Sequence, residues 1–218
     1  MRRSTAHRLR PLRPIVLGLT GSIGMGKSTA AAAFLRLGVP VLSSDKIVHR
    51  LLAKGGRGVT PVAAVFPNTR TNGAISRDVL AKEVFGKPEA LAKLESILHP
   101  LVWQETDRFL ARMRRARRRL VVLDVPLLYE THGETRTHAV AVVTAPDFIQ
   151  RARVLKRSGQ TPARLAAILA RQMPDREKRR CADFVVPTGL SRRDSLRRLQ
   201  RIVMVLTNTT KKVGPENA

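Results

Sequence analysis

Eight consecutive residues, Gly21-Ser22-Ile23-Gly24-Met25-Gly26-Lys27-Ser28, satisfy the pattern G-x-x-x-x-G-K-[ST] at every fixed position. The chemistry this permits is phosphate binding. Glycines let the backbone curl until successive N–H groups point at phosphate oxygens, and a helix opening at the end of the loop adds the positive end of its dipole. Lys27 can then neutralise the β and γ phosphates while the Ser28 hydroxyl takes a place on Mg²⁺. Four fixed positions match by chance in roughly one chain of this length in a hundred or fewer, and the required context, strand before and helix after, narrows that further. The alternative is a glycine-rich turn followed by a surface lysine.

Two carboxylates are candidates for work beside such a loop. From Lys27 a helix of about eleven residues descends roughly 16 Å, and a strand of four to five residues climbs back roughly 13 to 16 Å. Asp45 therefore returns to the level of the loop, on the edge of an open α/β sheet where ligands bind. There it can accept a proton from an attacking hydroxyl or help to hold a metal, or it can cap a helix beginning at Lys46. Asp124 ends another apolar run and is either an aspartate reaching Mg²⁺, directly or through water, or a structural hydrogen-bond acceptor. His49 and His99 have no second ligand at metal spacing and read as satisfied or surface histidines.

The elements that must position these groups are legible as short apolar runs. Ile15–Thr20, Val41–Leu42, Leu120–Asp124, Ala139–Val143 and Phe184–Val186 have the unbroken character of strands buried on both faces. Between the first two, the Ala-rich stretch from Lys27 to Leu37 is a helix stopped by Gly38, with Pro40 preventing its resumption. Residues 46–119 lack convincing strands and carry Leu80, Val84, Leu91, Leu94 and Leu98 at helical spacings, which predicts a helical insert. Thr161-Pro162 reads as a cap with proline at the first helical position, and Ser191 with Asp194 as a capping box opening a last helix with Leu196, Leu199, Val203 and Leu206 on one face. Alternating strands and helices predict an α/β, doubly wound parallel sheet of about five strands.

Composition bounds the function. The 218 residues include 43% hydrophobic ones, enough for a buried core, and carry a formal charge of +25, which favours polyanions such as nucleotides, nucleic acid or acidic surfaces. No apolar run approaches the roughly 18 to 20 residues of a membrane helix. The single cysteine, Cys181, excludes an internal disulfide framework and agrees with a reducing, cytoplasmic compartment. Residues 1–14 are basic, without periodicity, and read as a solvated tail with some of the composition of a transit peptide; residues 209–218 read as a second tail.

Taken together, Gly18-Leu-Thr-Gly-Ser-Ile-Gly-Met-Gly-Lys-Ser-Thr29, Val41-Leu-Ser-Ser-Asp45, Asn72-Gly-x-x-x-Arg77, Leu98-His-Pro100, Val125-Pro-Leu-Leu-Tyr-Glu130 and Gln172 ahead of Ala182-Asp183 resemble the dephospho-CoA kinase family, from about residue 15 to 205. The resemblance implies a P-loop kinase that uses Mg·ATP to phosphorylate the ribose 3′-hydroxyl of dephospho-CoA, the last step of coenzyme A synthesis. It implies a nucleotide-binding core of residues 15–45, 120–146 and 182–208, a CoA-binding helical domain of 46–119, and a lid of 147–181. Asp45 then matches the family's catalytic base, acting with Lys27. Gly21, Gly24, Met25 and Gly26, with Lys27, Ser28 and Thr29, form the nucleotide site; Ser28 and Asp124 serve the metal; Arg153 and Arg157, one helical turn apart after Gln150, match the lid arginines; and Arg77 contacts the substrate. The chain departs from the family at Ser43, where an acidic residue is usual, and at Pro187-Thr188-Gly189, where the family has an Asn-containing turn.

Two rival functions follow from the same residues. The loop is silent about the acceptor, so another small-molecule, nucleoside or nucleotide kinase fits it equally. The charge and the runs Arg114-Arg115 and Arg117-Arg118-Arg119 fit a nucleic-acid-binding protein, although the basic residues are scattered over tail, insert and last helix and the aromatics are few for base stacking. The expected partners are ATP and dephospho-CoA, with neither membrane nor nucleic acid as primary partner, and the expected state is a monomer.

Overall fold

The computed structural model describes residues 13–209. In chain order the elements are β1 (Ile15–Thr20), α1 (Lys27–Arg36), β2 (Val41–Ser43), α2 (Ser44–Leu52), α3 (Val59–Val65), β3 (Arg70–Thr71), β4 (Ala74–Ile75), α4 (Arg77–Val84) and α5 (Pro88–Arg115). They continue with β5 (Leu120–Asp124), β6 (Ala139–Thr144), α6 (Asp147–Leu155), α7 (Pro162–Leu169), α8 (Asp175–Cys181), β7 (Phe184–Pro187) and α9 (Arg192–Thr209). Five strands form one parallel sheet in the order β2-β5-β1-β6-β7.

The unbroken apolar runs are explained by helices on both faces of this sheet. Alternate residues of one strand enter different cores: Leu17, Leu19, Leu120 and Val122 pack with Phe34 of α1 and Leu199 of α9. Their neighbours Val16, Val121 and Leu123 pack with Phe109 of α5 on the other side. A strand with water on one face would need polar residues at every second position, and here none has them. The expected apolar face of α9 is seated accordingly, with Leu199 buried and Leu196, Val203 and Leu206 packed against the same core.

The caps are where the sequence places them. Thr161 Oγ1 accepts from the Arg164 amide at 3.2 Å, and Ser191 Oγ accepts from the Asp194 amide at 3.0 Å. The register of the sheet then fixes a common edge: Leu19 lies opposite Asp124, and Asp124 opposite Ser43. Gly21, Asp124 and Asp45 thus leave three adjacent strands at one level.

Three expectations need correction. Residues 46–119 are not wholly helical: β3 and β4 pair antiparallel, Arg70 opposite Ile75, around Asn72 and Gly73 at φ 49° and 78°. Asn-Gly is a strong signal for a two-residue hairpin turn, because both central residues must take positive φ; the absence of long apolar runs around it concealed the strands. Helix α2 begins at Ser44, so Asp45 lies inside the first turn and Ser43 holds the capping position. Arg157 lies past the end of α6, in the turn where its amide reaches Val154 O, not on a helix face with Arg153. The insert has its own core, with Leu52, Val62, Ile75, Leu80, Leu94 and Leu98 buried together. The basic N-terminal tail, except for residues 13 and 14, and residues 210–218 lie outside the described residues.

Candidate active site

Beyond β1 the chain turns through Gly21–Gly26 and enters α1 at Lys27. Gly24 and Gly26 lie at φ 79° and 89°, and a Cβ at Gly26 would stand 3.0 Å from Thr188 Oγ1. Only glycine takes this backbone without strain and leaves room for that neighbour. The loop is pinned by two glutamines from residues 147–181. Gln150 of α6 donates from Nε2 to Ile23 O at 2.7 Å, and Gln172 Oε1 accepts from the Ile23 amide at 3.1 Å. Both backbone groups of one loop residue are therefore satisfied by side chains, which holds the curl in place before any ligand arrives.

Above the loop is a cleft of about 760 Å³ lined by Gly21, Gly24, Gly26, Lys27, Ser28 and Thr29, together with Asp45, Arg153 and Arg157. The structure thus brings nine of the expected site residues to one cavity. Lys27 Nζ lies 2.5 Å from Asp124 Oδ1, with both side chains largely buried. This pairing keeps a cation at the mouth of the loop and leaves it an alternative partner when phosphate enters. Arg153 is also engaged: it donates to Thr188 O at 2.7 Å, to Thr188 Oγ1 at 3.1 Å and to Gly24 O at 3.4 Å. Thr188 in turn donates to Met25 O at 2.7 Å. At the turn Pro187-Thr188-Gly189, a threonine therefore ties the phosphate loop to an arginine of α6.

Next to this cleft is an apolar cavity of about 230 Å³ between β5, α2 and α5, lined by Leu42, Val48, His99, Val102, Trp103 and Leu127 among others. Arg136 stacks over the Trp103 ring at 4.4 Å from its centroid. Asp45 and Pro126 line both cavities. A single exposed carboxylate thus stands between a phosphate-binding cleft and a neighbouring pocket with an aromatic wall.

Three expected residues do not line the cleft: Asp124 reaches it only through Lys27, and two are elsewhere. The Met25 side chain is buried in the core, where its sulfur accepts from the Ala145 amide, and Met25 does not line the cleft. Arg77 opens α4 and meets His49 Nδ1 at 3.1 Å, lining neither cavity. Gln150, Gln172 as a loop clamp and Thr188 escaped the sequence reading of the site. No local pattern marks them, since each acts on a residue more than a hundred positions away.

For a divalent cation the nearby oxygen donors are the Ser28 hydroxyl and the Asp45 carboxylate, which line the cleft, and the Asp124 carboxylate, whose Oδ1 lies against Lys27. These hard oxygens suit Mg²⁺, and they are too few for an all-protein cage, which fits an ion that arrives already bound to phosphates. A parallel sheet with a glycine-rich loop at its central strand, a lysine and hydroxyl opening the first helix, and arginines overhanging the cleft define a P-loop phosphotransferase. Similarity to known proteins narrows the class. The family model described as Dephospho-CoA kinase matches residues 15–192. The chain is 60% identical over 164 residues to the Dephospho-CoA kinase of Paramagnetospirillum magneticum, covering 75% of this chain and 77% of that one. It is 49% identical over 193 residues to that of Brucella melitensis, covering 88% and 96%. The crystal structure of TT1252 from Thermus thermophilus superposes with a TM-score of 0.80 at 33% identity, over 93% of this chain and all of that one. The chain belongs to the dephospho-CoA kinase family.

Proposed function

We propose that the protein transfers the γ-phosphoryl group of ATP to the ribose 3′-hydroxyl of dephospho-CoA, giving coenzyme A and ADP. The observation that carries this reading is Asp45, one carboxylate lining both the phosphate cleft and the adjoining aromatic-walled cavity. The attacking hydroxyl hydrogen-bonds to Asp45, which aims the oxygen at the γ-phosphorus and takes its proton as the new P–O bond forms. The transition state is loose, so positioning and charge neutralisation supply most of the acceleration. Lys27 exchanges Asp124 for the β and γ oxygens, and Arg153 and Arg157 neutralise the transferring group from the lid side. Backbone amides of the loop hold the phosphates from below.

Ser28 and Asp124 would hold Mg²⁺ against the phosphates, where the ion supplies charge neutralisation. In this reading residues 15–45, 120–146 and 182–208 bind nucleotide, residues 46–119 take the acceptor with Arg77 at their outer contact, and residues 147–181 close as a lid. The enzyme works as a cytoplasmic monomer; no described helix is long and apolar enough to cross a membrane.

The test is ADP release with dephospho-CoA as sole acceptor, run beside a panel of nucleosides, nucleotides and shikimate. Turnover with dephospho-CoA at least about a hundredfold above every other acceptor is expected, since a site built around a substrate's polar groups rejects analogues that leave them unpaired. Equal turnover of a nucleoside would replace the assignment.

A further inference from the structure

Lys178 of α8 is fully buried, an unusual place for a lysine. Its ammonium lies 2.8 Å from Glu130 Oε1 and donates to the Pro126 carbonyl at 3.3 Å. The same carbonyl accepts the Thr20 hydroxyl at 3.0 Å. Glu130 Oε1 also accepts from the Met173 amide at 2.8 Å, and the neighbouring residue, Gln172, clamps Ile23 of the phosphate loop. The short segment from Gln172 to Lys178 therefore grips two things at once: the loop under the phosphates and the turn that follows β5.

Taking an ammonium and a carboxylate out of water is seldom repaid in stability, because the attraction between them only offsets the loss of hydration. A buried pair of this kind calls for another explanation, and its contacts supply one. Pro126, whose carbonyl it holds, lines both the nucleotide cleft and the acceptor cavity beside Asp45. That carbonyl is gripped from two sides, by Thr20 at the end of β1 and by Lys178 of the lid segment. Neither grip touches the space where a substrate would lie.

The geometry points to Lys178, supported by Glu130, as a positioning residue. We propose that it fixes the Pro126 turn between donor and acceptor pockets, and so sets the approach of the 3′-hydroxyl to the γ-phosphorus more than the affinity for either substrate. This rests on the phosphoryl transfer assigned above. Near-attack geometry is sensitive to displacements of about 1 Å, which can cost on the order of a hundredfold in rate.

Three variants separate positioning from mere support: Lys178→Met, Lys178→Met with Glu130→Gln, and Thr20→Val. Lys178→Met is expected to lower the melting temperature, because it strands Glu130 in the interior, and the double variant to recover most of that loss. The double variant should still show kcat reduced about tenfold or more, with KM for ATP and for dephospho-CoA each within about threefold of wild type. A kcat within about twofold of wild type in the double variant would overturn the proposal. Should that protein fail to fold, Thr20→Val decides in its place, since it removes the other of the two grips on the same carbonyl without disturbing any charge; the same thresholds apply. Failure of the unsubstituted protein to phosphorylate dephospho-CoA would instead count against the assigned reaction.

Discussion

Asp45 illustrates how little of a residue's role is carried by its type. It is exposed, in the first turn of a helix, where an acid is also favoured by the helix dipole, and nothing in that local setting requires chemistry. Its meaning comes from two cavities that share it. Under the proposed reaction Asp45→Asn keeps the size and loses the proton acceptor, so steady-state kinetics should give kcat lower by about 10² or more with KM for ATP within a fewfold. Unchanged turnover would move the proton to another group. Lys27 and Asp124 differ in that their pairing is itself informative, since a cation held at 2.5 Å by a buried carboxylate is already aimed at the loop it serves.

At the scale of elements, α5 joins the two halves of the molecule. Its first half contributes Leu94 and Leu98 to the core of the insert, while Phe109 near its end packs against Val121 and Leu123 of the sheet. One helix of 28 residues therefore fixes the aromatic-walled cavity relative to the phosphate cleft, and the cavity itself draws His99, Val102 and Trp103 from its middle. Phe109→Ala should cost about 3 to 5 kcal/mol, the usual range for emptying a buried aromatic site, as read by denaturant unfolding. A loss below about 1 kcal/mol would mean that the helix is held to the sheet by other contacts. The periodicity of Leu80, Leu94 and Leu98 announced this region's helices, whereas β3 and β4 are two residues each and too short to display alternation.

At the scale of the whole molecule, Tyr129 is a spectroscopic reporter of the packing. Tyr129 is the single tyrosine; it is buried, its hydroxyl has no hydrogen-bond partner, and burial, followed by the negative charge of Cys181, Asp183 and Glu134, pushes its pKa up to about 12. The unfolded chain releases this proton near the ordinary value of about 10 and the folded chain does not. Tyr129 therefore contributes stability that is intact below about pH 10 and lost as pH rises from there toward 12. Tyrosinate absorbance should titrate near 12 in the native protein and near 10 in denaturant; coincident midpoints would contradict the burial. The formal charge of +25 belongs to this scale as well: it favours anionic ligands in general, and the cleft gathers part of it in Lys27, Arg153 and Arg157. Sequence alone determined the sheet, the phosphate loop and the helix caps, because each depends on neighbours within a few residues or on an unbroken apolar run. Tertiary structure decided which carboxylate faces two cavities, that Gln150, Gln172 and Thr188 hold the loop, and that Met25 and Arg77 stand apart from the cleft. Those facts arise from contacts spanning most of the chain, and no local pattern of residues encodes a distance between side chains that only folding brings together.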